Sequence, residues 1–190
     1  MLATVASAQN AKEGEVGARA IAMGGAFSGL ANDATALSWN PAALAWLQRQ
    51  ELGFSYADRF GLQLNTSYLN YVQPVGENHA LGLDWFHESY DDENNQGLGL
   101  KSGQNRYGLA YAYRNNIAFL QPFIKNSAIG VRGRYLSQDI DADGAPVLGV
   151  SGWAWDIGLL APLGYGLRLG LVAQHLGGTK LTDDNGRSEE

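Results

Sequence analysis

The chain of 190 residues is long enough for one domain with a sizeable core. Its 13 basic and 19 acidic residues leave a net charge of −6 with no basic stripe, which argues against nucleic acid as a partner. The absence of cysteine excludes disulfide frameworks and thiolate metal sites. No stretch approaches the roughly 20 apolar residues of a spanning helix, so any membrane insertion has to use a closed sheet. Charged residues make up only 17 %, while 25 glycines and 11 % aromatics suit short twisted strands, either in a membrane barrel or in a soluble β-sandwich.

Residues 1–12 begin with Met1 to Ala8 and include Ala6-Ser7-Ala8, which fits a small-x-small cleavage site without a basic n-region. They read as a signal-peptide remnant or a disordered N-terminus. Residues 13–50 are Ala/Gly-rich and do not alternate. Short helical turns are expected at Ala34 to Leu37 and Ala42 to Leu47, the first capped by Asn32 or Asp33. Asn40 would cap the second, with Pro41 in its first turn. Gly24, Gly25 and Gly29 would give close packing and positive φ. The segment has the character of a plug.

Residues 51–190 change to a period of two, the signature of strands. Leu52, Phe54, Tyr56 and Phe60 share one face. In the next strand Leu62, Leu64, Thr66 and Tyr68 oppose Gln63, Asn65 and Ser67. After a turn at Pro74 to Asn78, Leu81, Leu83 and Trp85 oppose Gly82, Asp84 and Phe86. Tyr107, Leu109, Tyr111 and Tyr113 then oppose Arg106, Gly108, Ala110, Ala112 and Arg114. Ile129, Val131 and Tyr135 oppose Gly130, Arg132 and Arg134. Trp153, Trp155, Ile157, Leu159 and Ala161 oppose Ala154, Asp156, Gly158 and Leu160. Finally Leu167, Leu169, Leu171 and Ala173 oppose Arg168, Gly170 and Gln174.

A wet outer face of a sandwich would favour Lys, Glu and Thr. Here the less apolar face is Gly, Ala, Ser, Arg, Asp and Gln, which suits a lumen lined by isolated polar groups, and aromatics recur near strand ends. The pattern therefore favours an all-β, antiparallel transmembrane β-barrel. Short turns at Pro74 to Asn78 and Pro162 to Gly166 alternate with expected long loops at Asp91 to Gln104 and Asp139 to Gly152. Asn115 to Asn126 reads as either a strand extension or a loop. About seven strands are found, so the barrel is expected to be incomplete in this chain.

The run Gly17-Ala18-Arg19-Ala20-Ile21-Ala22-Met23-Gly24-Gly25-Ala26-Phe27, followed by Ala31 to Leu37 and Trp39-Asn40-Pro41-Ala42, resembles the N-terminal signature of the FadL/PorV superfamily. The stretch Leu167 to Gly177 resembles a strand of PorV-type members. The resemblance implies a fourteen-strand barrel in the outer membrane of a Gram-negative bacterium, about half of it present here, with an N-terminal hatch holding Gly24, Gly25, Asn32, Asp33, Asn40, Pro41 and Ala42. It implies outer-membrane lipid and a hydrophobic ligand or detergent in the lumen as partners, and passage of hydrophobic molecules as the function. The PorV type instead implies secretion-system or surface proteins as partners. A soluble β-sandwich binding module remains the non-membrane alternative.

Other constellations point away from chemistry. No Gly-x-Ser-x-Gly occurs, and His79, His87 and His175 lack metal spacing, so no enzyme is expected. Asp139, Asp141 and Asp143 have D-x-D-x-D-G spacing suited to Ca²⁺, but Val150 stands where an EF-hand needs an acid, which favours a solvated loop with no cofactor. Arg106, Arg114, Arg132, Arg134 and Arg168 share the expected lumen face with Asp84 and Asp156. They would either bind an anionic head group or pair internally, and pairing is the stronger expectation.

Overall fold

The computed structural model describes residues 16–59, 64–93, 99–115, 126–142, 145–176 and 182–183. Short helices α1 (Ala18–Ala22) and α2 (Ala36–Trp39) and a 3-10 helix (Pro41–Trp46) precede the strands. These are β1 (Glu51–Arg59), β2 (Leu64–Val75), β3 (His79–Glu93), β4 (Gly99–Asn115), β5 (Ser127–Ala142), β6 (Ala145–Gly164), β7 (Leu167–Leu176) and the two-residue β8 (Thr182–Asp183). The fold is all-β, an antiparallel meander in the order β1 to β7, with β8 pairing β6 beyond the end of β7. Within the described ladder, β1 and β7 are the two edges.

Two tight turns order one end of the sheet. Gly76 (φ 67°) joins β2 to β3, and Tyr165 (φ 53°) with Gly166 (φ 78°) joins β6 to β7. We call this the near end. At the far end the strands run further than the sequence suggests. Acidic and Gly-rich residues expected to form loops at Asp91 to Gln104 and Asp139 to Gly152 are largely paired, with Asp91 opposite Lys101 and Asp139 opposite Gly149. Composition reads these residues as loop, but neighbouring strands supply their backbone partners, and pairing outweighs weak intrinsic β preference. Residues 1–15 and 116–125 hold the expected signal remnant and most of the ambiguous segment after Asn115, and they lie outside the described residues, as does Phe60.

The N-terminal segment packs on one face of the sheet. The backbone N–H of Ala34 donates to Glu51 on β1, Ser38 meets Tyr68 on β2, and Trp46 lies against both Arg114 on β4 and Arg168 on β7. Seven strands laid flat would span about 29 Å at roughly 4.8 Å per step. For one short segment to touch both edges and the middle, the sheet has to curl round it.

The expected faces hold for most strands, with one correction. Thr66 and Tyr68 were placed on the apolar face of β2, yet they point inward and are buried, as are Asn70 and Val72, while Leu69 points outward. The Tyr68 hydroxyl explains the inversion, because it lies 3.0 Å from Ser38 Oγ inside. Gly29 is a second correction: it packs tightly, with its Cβ direction 3.4 Å from Arg168 O, but it does not take positive φ as Gly24 (63°) and Gly25 (81°) do.

Candidate functional site

The inward face has two zones. Near the turns it is lined by small residues, Ala80, Ala112, Gly130 and Gly158 in one cross-strand row, with Ala128 and Gly170 beside it. This groove receives Asn40-Pro41-Ala42. A Cβ added to Gly130 would stand 2.4 Å from Pro41 C and Ala42 N, and one on Gly158 would stand 2.1 Å from Asn40 Oδ1. Small residues thus sit on that face because the N-terminal segment comes close to the backbone there, which alternation alone does not reveal.

Asn40 has extended backbone (φ −161°, ψ 101°) and is fully buried. Its Oδ1 accepts from Ala42 N at 3.1 Å, and its Nδ2 donates to Ser28 O at 2.9 Å and Leu159 O at 3.1 Å. One side chain therefore caps the 3-10 helix, ties it to the preceding loop and ties both to β6. Pro41 occupies the first position, where its missing N–H costs nothing. Upstream, Asp33 Oδ1 accepts from Thr35 N at 2.9 Å and from the Thr35 hydroxyl just before α2, and Asn32 Oδ1 accepts from Arg19 at 2.5 Å. Trp39 is buried, stacks edge-on with Phe27, and donates through Nε1 to Val16 O at 3.0 Å.

Beyond this N-terminal segment, towards the far ends, lies a buried layer of charge. Arg132 reaches Asp84 through Nη2 at 2.5 Å and Nε at 3.3 Å. It also lies 3.6 Å from Asp156, which takes a 2.7 Å bond from Arg134. Arg106 stacks on Phe86 at 3.9 Å. Gly108 opens the path between Asp84 and Arg132, since a Cβ there would meet Asp84 Oδ1 at 2.0 Å and Arg132 Nε at 2.8 Å. Side chains of Arg132, Arg134, Asp84 and Asp156 are at most 3 % exposed, so each charge depends on its partners for the solvation that water would otherwise give.

The third contact of Asp156 is structural. Its Oδ1 also accepts from the backbone N–H of His175 at 3.0 Å. His175 has φ 59° at a register shift between β6 and β7, so the carboxylate replaces a missing ladder bond.

The expected lumen residues thus divide. Asp84, Arg132, Arg134 and Asp156 form one network, with Arg106 beside it. Arg114 and Arg168 stand apart at the near end, both against the Trp46 ring at 4.9 and 5.6 Å, and Arg114 also donates to Glu77 O at 2.8 Å. Asp139 and Asp141 lie on β5, opposite Gly149 and Pro146, in extended strand and not in the coiled loop their spacing suggested; Asp143 lies outside the described residues. Among the described residues, no group of three or more acids or histidines is placed to hold a metal ion. Sequence reading missed Tyr68, Gly108, Gly130, Gly158 and Gln174, whose Nε2 donates to Ser38 O at 3.3 Å. The register offered one signal: glycines of adjacent strands falling in one row mark a seat.

The outward face reverses the usual order. Phe54 on β1 is 68 % exposed, Leu109 on β4 60 % and Trp153 on β6 61 %, while the opposite side of β4 buries Arg106 and that of β6 buries Asp156. No family model, curated protein or solved structure matches the chain.

Proposed function

We propose that the chain is an outer-membrane β-barrel protein that binds or passes hydrophobic or amphipathic small molecules through a lumen plugged by its N-terminal segment. The observation that carries this reading is the inversion of faces: aliphatic and aromatic side chains outward, paired Arg and Asp inward. In water such a sheet would expose a continuous apolar surface far larger than monomers tolerate. In lipid the same surface is solvated, and the inner charges face a polar interior. Among the described strands there is one sheet, and the side a sandwich would cover with a second sheet is the exposed apolar one.

In a complete barrel the edges β1 and β7 would meet further strands, as the FadL/PorV resemblance implies. The function would then be binding and release, with the N-terminal segment shifting on its glycine seat and no bond being made or broken.

Leu109 offers a direct test. It lies on the outward face between Leu83 and Gly133. With the full-length protein folded into phosphatidylcholine vesicles, urea titration should show Leu109→Arg less stable than Leu109→Ala by about 2–4 kcal/mol, the lipid-midplane cost of an arginine. A difference within about 0.5 kcal/mol, as for an ordinary wet surface position, contradicts the membrane reading.

A further inference from the structure

The inward face changes character again past the buried charges. Arg106 lies 3.9 Å over the Phe86 ring, and Phe86 belongs with Tyr68 and Val16 to a small apolar cluster of its own. Arg106 and Phe86 stand opposite one another in the register and both are buried, so they form a floor on the inward face.

The next inward row towards the far ends is Thr66, Glu88, Gln104 and Gln138, each directly opposite the next across β2 to β5. Thr66 is engaged, donating from Oγ1 to Ala57 O at 3.4 Å. Glu88, Gln104 and Gln138 are half-buried, and among the described residues their side chains make no hydrogen bond. One row further out the inward positions are Leu64, Tyr90, Ser102 and Ile140, mostly apolar. A polar band one row deep therefore lies between the Phe86 floor and an apolar rim.

Charge is balanced across this region. Arg106, Arg132 and Arg134 are matched by Asp84, Asp156 and Glu88, all at inward positions of β3 to β6. A bound ion of either sign would be one charge too many where little water screens it. Hydrogen bonding narrows the fit further. The two glutamines both donate and accept, whereas the Glu88 carboxylate only accepts, so a group resting there has to donate as well as accept. A carboxylate head offers acceptors alone, and a hydrocarbon offers neither.

We propose that Glu88, Gln104 and Gln138 seat the head group of an uncharged amphipath that carries hydroxyl or amide N–H donors, with its chain lying along Leu64, Tyr90 and Ile140. This rests on the membrane reading above and adds the class of molecule bound.

Calorimetric titration of the full-length protein in lipid nanodiscs, with empty nanodiscs as the blank, separates the classes at one chain length: monooctanoylglycerol, octanoate and octane. Monooctanoylglycerol should bind at least about tenfold more tightly than either of the others, the worth of one or two hydrogen bonds to a sheltered polar seat. Gln104→Leu should abolish most of that preference. Glu88→Gln, close in shape, should raise the affinity for octanoate about tenfold by leaving one positive charge in excess. Heat-modifiable migration on a denaturing gel checks that each variant folds. Octanoate binding as tightly as monooctanoylglycerol or more so, with neither moved by Glu88→Gln, would overturn the seat and leave the membrane reading standing. Binding of none of the three by the folded protein would overturn both the seat and the passage of amphipathic molecules.

Discussion

Asp156→Ala is expected to destabilise the folded chain by about 3–5 kcal/mol, measured as a shift in urea midpoint in vesicles or detergent. The substitution leaves the fully buried Arg134 without the carboxylate 2.7 Å away and deprives Arg132 of its second acid. It also orphans the His175 N–H at the β6–β7 irregularity. The sharper part of the prediction concerns the double variant Asp156→Leu with Arg134→Met. Removing both charges together should recover most of the loss, because the cost arises from an uncompensated charge and not from a missing favourable contact. A double variant as unstable as Asp156→Ala would mean that the carboxylate matters chiefly for the strand irregularity.

The second large effect is expected at Gly130. An alanine methyl there would lie 2.4 Å from the backbone of Pro41 and Ala42, which no rotamer change can relieve. The N-terminal segment has to lift, or the sheet has to open, with an expected loss of about 1–3 kcal/mol or more. Lifting would expose Trp39, now 8 % exposed, and shift its emission to the red. Limited proteolysis should then cut between Ala31 and Leu47 in the variant before any strand is cut. Gly24→Ala is the control, since nothing lies within 4 Å of that Cβ direction, and its cost comes from positive φ alone. Equal protease resistance of Gly130→Ala and the parent chain would contradict the seat.

Much of this was legible in the sequence, for a physical reason. A strand has a period of two, so Tyr107-Leu109-Tyr111 against Arg106-Gly108-Ala110 declares both the element and its faces. The cap at Asn40 was legible because Asn before Pro is a local signal. What stayed hidden was long-range. Gly158 reads as a weak strand residue until Asn40, over a hundred positions earlier, is seen pressed against it. Tyr68 reads as apolar until its hydroxyl finds Ser38. The acidic ends of β3 and β5 read as loop because composition carries no knowledge of pairing partners. The Arg–Asp network was anticipated as one of two outcomes, but only the register shows Gly108 making room for it.

The central claim is that the outward apolar face meets lipid. Its most direct test is to express the full gene, fractionate the envelope, and run the product unboiled and boiled on a denaturing gel. The account predicts recovery with outer membranes and faster migration of the unboiled sample, as a closed barrel resists detergent until heated. Recovery as a soluble protein whose migration is unchanged by boiling would contradict it.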